Sequence, residues 1–145
     1  MLKNYETDIT WEQAIRKGNY MAVRKFIMDG HDVNERIGSY ETPSLAHAAV
    51  AGDNDIVQMM LRQPELKVNE ADLDGDTALM MGLNYLSSKT YQEFLKHPDI
   101  DVYVRNRYGK TVGSMVEGDT EEMILPSIKS MIRHYIKNHH SKETK

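Results

Sequence analysis

A pattern with a period of 34 residues runs through most of this 145-residue chain. One coincidence would mean little, but several independent positions keep the same interval. They are Trp11, Leu45 and Leu79; Ala14, Ala48 and Gly82; Gly30, Pro64 and Pro98; and Gly75 and Gly109. A unit this short leaves an apolar face that only a neighbouring unit can cover. The pattern therefore predicts a stack of similar units.

The residues at the junctions decide which kind of unit repeats. A period near 34 fits plain helical hairpins as well as helix pairs joined by extended turns. Residues 72–79 (DLDGDTAL) and 106–111 (NRYGKT) are rich in turn formers. An Asp or Asn side chain opens such a turn by accepting backbone N–H groups, and the glycine three places later suits positive φ. The following Thr is expected to begin a helix, so helix pairs with extended turns are favoured.

These junctions resemble the ankyrin-repeat motif D-x-x-G-x-T-P-L-H-x-A-A-x-x-G, which an apolar helix and G-x-x-V-N follow. Residues 42–52 (TPSLAHAAVAG) match it with one inserted residue after Pro43, and residues 30–34 (GHDVN) match the end of a repeat. The resemblance covers roughly residues 9 to 120. It implies a mostly α fold, an ankyrin-repeat solenoid of about four helix-pair units with β-turn fingers and a C-terminal capping helix.

A single domain is expected over residues 1–140, with a polar tail over 141–145. Its units are predicted at about 9–37, 38–71, 72–105 and 106–140. Small residues should lie on the inner helices, where neighbouring units approach closely. Apolar residues spaced i, i+3, i+4 predict the outer helices. If Phe26 is buried there, its truncation to Ala should cost about 3–5 kcal/mol.

The C-terminal region predicts a capping helix. One apolar stripe is formed by Ile124, Ile128, Met131, Ile132, Tyr135 and Ile136. The expected N-cap is Asp119 or Thr120, with Glu121 and Glu122 in the first turn. Pro126 must then lie in the first turn of this helix or kink it.

The charge and cysteine content narrow the range of partners. A net charge of −4 does not attract phosphate backbones, so nucleic acid is not expected as a partner. The chain has no cysteine, which excludes disulfides and thiol chemistry.

No apolar run approaches the roughly 20 residues of a spanning helix, and residues 1–8 lack a secretory h-region. We expect a cytoplasmic protein without membrane contact, monomeric when unbound, or one exported without a Sec-type signal.

The resemblance also implies a binding surface, because ankyrin-repeat proteins usually bind partners across the finger tips and the concave face of the inner helices. The matching finger positions are Ser39, Tyr40, Glu41, Leu73, Asp74, Asp76, Arg107, Tyr108 and Lys110. The matching inner-helix positions are Arg16, Lys17, Val50, Ala51, Asn84 and Tyr85. Tyr and Arg are frequent interface anchors. An acidic group (Asp72, Asp74, Asp76) and a basic group (Arg105, Arg107, Lys110) predict a partner with the opposite charge pattern. Ordinary solvated loops remain the alternative.

Catalytic and metal sites find little support in the sequence. Residues 72–76 (DLDGD) suggest calcium, but the glycine is fourth where an EF-hand needs it sixth, and the twelfth residue is Leu83. His134, His139 and His140 lack metal-ligand spacing. No strained G-x-S-x-G nucleophile occurs. Neither a cofactor nor a resident metal is expected.

These features together predict a non-catalytic module that binds an unknown protein, as an inhibitor, immunity-type protein or adaptor. A secreted effector that engages a host protein remains an alternative. So does a hydrolase that uses the cluster of Asp72, Asp74 and Asp76 with His47. A third alternative is self-association through the C-terminal helix, for which loss of a dimer in Ile128→Asp would be the test.

Overall fold

The computed structural model describes residues 8–118 and 123–139. Over these ranges the fold is mostly α, with eight helices and one two-stranded antiparallel sheet. The elements are α1 (Trp11–Arg16), α2 (Tyr20–Met28), β1 (Arg36–Ile37), β2 (Thr42–Pro43), α3 (Ser44–Val50), α4 (Asn54–Leu61), α5 (Ala78–Met81), α6 (Ser88–Lys96), α7 (Val112–Val116) and α8 (Pro126–His139). Among the described helices, none has the length and apolar character needed to cross a bilayer.

The helices form two adjoining rows. In one row α1 packs against α3, α3 against α5 and α5 against α7. In the other row α2 packs against α4, α4 against α6 and α6 against α8. The rows meet where α1 contacts α2, α3 contacts α4 and α7 contacts α8. One continuous apolar core therefore extends along the described chain, from Trp11 to Ile132.

Small residues allow the short helices of the first row to approach one another. Gly82, which caps the C-terminal end of α5, is buried. A Cβ there would lie 2.5 Å from Cδ1 of Leu86 and 3.3 Å from Cβ of Ala49. Ala14 and Ala48, at the equivalent positions of the repeat, are fully buried as well. The interval of 34 residues between small side chains thus coincides with a line of close helix contacts.

Threonine caps begin most of the short helices, as the turn pattern predicts. The Oγ1 atoms of Thr10, Thr77 and Thr111 accept hydrogen bonds from the backbone N–H three residues later, at the starts of α1, α5 and α7. Thr42 is the exception, and the prediction that it begins α3 is wrong. Pro43 is still extended, with ψ 144°, so α3 begins one residue later. The residue inserted after Pro43 explains this shift.

That inserted residue, Ser44, links α1 to the segment before β1 through two hydrogen bonds. The indole Nε1 of Trp11 donates to Oγ of Ser44 at 2.6 Å, and this hydroxyl donates to the backbone oxygen of Glu35 at 2.6 Å. Trp11 and Ser44 are both buried. A buried indole N–H needs such an acceptor.

Replacing Ser44 by Ala is therefore expected to destabilise the fold by about 1–3 kcal/mol, because the indole N–H would stay buried without an acceptor. Chemical denaturation would measure this loss. In a Trp11→Phe background, which has no N–H to satisfy, the same replacement should cost clearly less. The exposed Ser39→Ala change serves as the matched control. Equal losses in the two backgrounds would contradict the assigned role of Ser44.

The last helix begins at Pro126, so this proline lies in the first turn, as one of the two predicted arrangements requires. Asp119, Thr120, Glu121 and Glu122, the expected cap and first turn, lie outside the described residues, as does the tail over 141–145. Ile128 and Ile132 are fully buried against the fold. Ile128→Asp would consequently unfold the chain and cannot report on self-association.

The expectation that Phe26 is a buried core residue is wrong. Phe26 is only partly buried at the edge of the core, where its ring contacts Trp11 and His31. The fully buried aromatic residues of the second row are Tyr91 and Phe94, both in α6. Phe26 is in the first helix of its row, which has no preceding helix among the described residues to cover it.

Candidate partner-binding surface

The three turns that the sequence predicts as fingers cover residues 37–42, 72–76 and 106–110, and are called the finger turns below. In the second, a carboxylate oxygen of Asp72 accepts the backbone N–H groups of Asp74 and Asp76, at 2.9 and 3.0 Å. In the third, the side-chain oxygen of Asn106 accepts the N–H groups of residues 108 and 110 at the same distances. The opening Asp and Asn therefore have the role that the sequence predicts.

The first finger turn is built differently. It connects β1 to β2, and Arg36 holds it by donating from one nitrogen to the backbone oxygens of Glu41 and Ala71, at 2.9 and 2.7 Å. The same guanidinium pairs with the carboxylate of Glu70. Glu41, one of the predicted contact residues, has φ 53°, the only positive value among the described residues other than glycine.

Backbone hydrogen bonds join the three finger turns into one row. The N–H of Leu73 donates to the backbone oxygen of Tyr40 at 3.1 Å, and the N–H of Arg107 donates to that of Asp74 at 2.9 Å. The side chain of Asn106 also donates to the carboxylate of Asp76 at 3.0 Å. The turns therefore hold one another in place and present a single continuous edge.

Large apolar side chains stand exposed along this edge. Tyr40, Leu73 and Tyr108 are 64%, 62% and 70% exposed. The guanidinium carbon of Arg107 lies 5.3 Å from the ring centroid of Tyr108, within cation–π distance. Other exposed apolar side chains are Tyr20, Met21 and Met28 on α2, Tyr85 after α5, and Met123 and Leu125 before α8. The finger turns differ in that their exposed side chains follow one another on adjacent, mutually bonded loops.

The acidic and basic groups of the finger turns pair with each other. Arg107 donates to a carboxylate oxygen of Asp74 at 2.8 Å, and this hydrogen bond raises the pKa of the guanidinium. Both side chains were expected to face a charged partner. Because Arg107 and Asp74 neutralise each other, the edge is less polarised than the sequence predicts. Its exposed residues are mixed, since Glu41, Arg107 and Lys110 are exposed together with the tyrosines and Leu73.

The carboxylates of Asp72, Asp74 and Asp76 lie close together, with one oxygen of each within 4.8 Å of the others. Each of the three already has a partner inside the protein. Asp72 accepts backbone N–H groups, Asp74 accepts Arg107, and Asp76 accepts Asn106. The turn itself accounts for this grouping of acids, so the cluster carries no independent sign of an ion site.

The predicted residues of the concave face lie at the ends of the short helices. Arg16 is the last residue of α1 and Lys17 follows it, and both are exposed. Val50 is the last residue of α3 and is partly buried, and Ala51, which follows it, is exposed. Arg16 pairs with Glu12 at 2.8 Å.

The prediction that Asn84 and Tyr85 lie on an inner helix is wrong. The helix α5 ends at Met81, and both residues lie in the turn that follows Gly82. Glycine has a low helix propensity, which favours an early end. The Tyr85 side chain is nevertheless 52% exposed. The turn that carries Tyr85 packs closely against the turn at Gly52, since a Cβ built on Gly52 would lie 3.0 Å from the backbone oxygen of Tyr85.

His47 lies partly buried at the same face, beside Arg16. Burial and the nearby guanidinium of Arg16 lower its pKa, so the neutral ring is favoured, although Glu12 and Asp53 act in the opposite direction. Arg16 and His47 approach to 3.5 Å between Nη1 and Nε2. The charged groups that act on His47 do not include Asp72, Asp74 or Asp76. These interactions therefore do not group His47 with the three acids, as the hydrolase alternative requires.

At least two clefts open on the described surface, and sequence reasoning predicted neither. One, of about 610 Å³, lies along α2 beside Ile9, Met21 and Phe26. The other, of about 480 Å³, lies between the segment before the last finger turn, α7 and α8, and includes Tyr103, Arg105 and Arg133. The one sequence signal for the second cleft was Tyr103, which follows Val102 where the earlier repeats carry Val-Asn.

No model of a known protein family matches the chain, and no curated protein gives a significant match to its sequence. A functional assignment has to rest on the residues and geometry described above.

Proposed function

We propose that this chain is a small ankyrin-repeat solenoid of about four helix-pair units that serves as a non-catalytic module for binding another protein. Support for the repeated architecture comes from the two rows of helices and from contacts that recur along the chain. Asn34 accepts the backbone N–H of Lys67, and Asn69 accepts that of Asp101. Equivalent side chains thus join consecutive loops at nearly the period of the sequence.

The observation that carries the proposal is the row of Tyr40, Leu73 and Tyr108 on bonded finger turns. An exposed apolar row would be a liability in water unless a partner covers it. Because the turns are already fixed by hydrogen bonds, binding would require little further ordering of the backbone. Together with Tyr85 on the adjoining face, these side chains are suited to a protein interface of about 800 Å² per side.

Tyr108→Ala and Tyr85→Ala are each expected to weaken partner binding by more than about 1 kcal/mol, because exposed tyrosines of an interface commonly act as anchors. Their melting temperatures should not change, since both side chains are largely exposed. Calorimetry with a partner identified by affinity capture would measure the binding. The control is Met28→Ala, which removes an equally exposed apolar side chain from α2. Unchanged affinity in both tyrosine variants would remove this surface from the proposal.

A binder without catalytic groups acts by occupying a surface of its partner. This mode suits an inhibitor, an immunity-type protein or an adaptor in the cytoplasm, and it suits equally an exported effector that engages a host protein. The two settings require the same surface chemistry. The identity of the captured partner would distinguish them.

The hydrolase alternative is less well supported. Its acids lie within 4.8 Å of one another, which is the one observation in its favour. Their oxygens are engaged in turn hydrogen bonds and in the pair with Arg107, and His47 responds to a different set of charges. Hydrolytic activity lost in Asp74→Asn, but kept in Tyr108→Ala, would restore this alternative.

A further inference from the structure

Each of the three finger turns holds one residue in the left-handed conformation. These residues are Glu41, Gly75 and Gly109, with φ 53°, 81° and 76°. They are separated by the same 34 positions that separate the repeated residues of the sequence. In each turn the N–H of this residue donates to the backbone oxygen three residues earlier, at 3.1, 2.9 and 2.9 Å. The three positions are therefore equivalent in the fold as well as in the sequence.

Glutamate occupies a position at which the other two finger turns have glycine. A left-handed backbone brings Cβ close to the following carbonyl oxygen, and only glycine adopts it without that cost. Asn and Asp are the other residues that adopt it with some frequency, because their short side chains can bond locally. Glycine in place of Glu41 would make the same backbone hydrogen bonds with less strain. A strained residue in a turn that is otherwise well fixed points to a role of its side chain outside folding.

The hydrogen bonds on either side of Glu41 keep the strained conformation in place. Its backbone oxygen accepts Nη1 of Arg36 at 2.9 Å, and the backbone oxygen of the preceding Tyr40 accepts the N–H of Leu73 at 3.1 Å. Arg36 also pairs with the carboxylate of Glu70, so its charge already has a partner. Arg36 thus positions the backbone of Glu41, while its ion pair is made with another acid.

The Glu41 side chain stands beside the apolar row of the finger turns. Glu41 is exposed, and the hydrogen bonds that join it to other described residues are made by its backbone. The neighbouring Tyr40 and Leu73 are 64% and 62% exposed. A carboxylate next to apolar surface suits the side chain of Lys or Arg, because the aliphatic stem packs on the apolar groups while the charged head pairs with the acid.

We propose that Glu41 is a specificity-determining contact of the finger turns, whose carboxylate pairs with a Lys or Arg side chain of the partner protein. The stem of that basic side chain packs on Tyr40 and Leu73, and a cation can also lie over the Tyr40 ring. The net charge of −4 favours the approach of a basic partner. This inference rests on the protein-binding function proposed above and adds to it the charge of the group that the first finger turn selects.

Amide NMR spectra of the full ¹⁵N-labelled chain, titrated with the capped peptide Leu-Arg-Tyr-Leu, test this assignment. We expect the signals of Tyr40, Glu41 and Leu73 to shift, and a peptide with Gln in place of Arg to bind more weakly. Glu41→Gln should weaken the arginine peptide about threefold or more, because it removes one charge of the pair and keeps the shape. The matched control is Glu65→Gln, which removes an exposed carboxylate outside the finger turns and should have no effect.

Two further variants separate the contact from the strain. Glu41→Gly and Glu41→Ala both remove the carboxylate, so they should weaken the peptide equally. The Gly variant should melt about 3 °C higher than the Ala variant, because alanine keeps the left-handed strain. Glu41→Gln should melt at the temperature of the parent chain. A lower melting temperature in Glu41→Gln would overturn the proposal, since the carboxylate would then serve the fold.

Three other outcomes would overturn the assignment: equal binding of the two peptides, no shift at the first finger turn, or equal weakening by Glu41→Gln and Glu65→Gln. A captured partner distinguishes this inference from the function on which it rests. Binding that is lost in Tyr108→Ala but kept in Glu41→Gln would retain the finger-turn surface and reject the role of Glu41. Binding that is kept in Tyr108→Ala, Tyr85→Ala and Glu41→Gln would reject both.

Discussion

Replacement of Phe94 by Ala is expected to lower the free energy of unfolding by about 3–5 kcal/mol. Phe94 has no exposed surface, and its ring lies 6.1 Å from that of Tyr91, which is equally buried. The helix that carries both, α6, packs between α4 and α8. Removing the ring would therefore leave a cavity that three helices border, and a cavity enclosed on several sides does not collapse readily.

The chain contains two phenylalanines, and the second provides the matched comparison. Phe26→Ala should cost clearly less than Phe94→Ala, because the Phe26 ring is already partly in water at the edge of the core. Denaturant unfolding of both variants would measure the difference. Phe94→Leu, which retains most of the apolar volume, replaces the Ala variant if that one does not fold. Equal losses at the two positions would mean that the described packing of α6 is wrong.

Gly75→Ala is expected to destabilise the fold by more than about 2 kcal/mol, since it combines backbone strain with a steric overlap. Gly75 has φ 81°, a left-handed conformation that costs other residues about 1–2 kcal/mol. A Cβ there would also lie 2.9 Å from Cα of Asn106 and 3.0 Å from the backbone nitrogen of Arg107. Both are main-chain atoms of the adjoining finger turn, so the turn itself would have to move.

Gly109→Ala separates the two contributions. Gly109 occupies the equivalent position of the last finger turn with φ 76°, and a Cβ built on it meets nothing within 4 Å. It should therefore show only the cost of the left-handed backbone, about 1–2 kcal/mol. Thermal or denaturant unfolding of the pair would measure the difference. A larger loss at Gly109 than at Gly75 would contradict the contact between the finger turns.

Part of the candidate surface could be predicted from the sequence, because it depends on contacts within a few residues. Asp72 and Asn106 bind backbone N–H groups two and four residues later. Thr77 and Thr111 each cap the helix that begins at the next residue, by accepting the backbone N–H three residues later. Such interactions are formed by one short segment, so the order of residue types is sufficient to predict them. The exposure of Tyr40 and Tyr108 follows as well, since both lie at the tips of predicted turns.

Most of the rest depends on residues that are far apart in the chain. Arg107 and Asp74, expected to face a partner, are 33 positions apart and pair with each other. The early end of α5 left Asn84 and Tyr85 in a turn, which the apolar pattern did not indicate. The cleft of about 480 Å³ combines residues from the segment before the last finger turn with residues of α7 and α8, and only Tyr103 signalled it in the sequence.

The sequence by itself determined that the chain is mostly helical, where its finger turns lie and which small residues recur every 34 positions, because local hydrogen bonds and the spacing of side chains encode these features. Only the tertiary structure decided which aromatic residue is buried, which charges neutralise each other and where clefts open. Those properties depend on which surfaces meet when the helices pack into rows. A one-dimensional pattern shows that an apolar face needs a neighbour, but it does not show how completely that neighbour covers it.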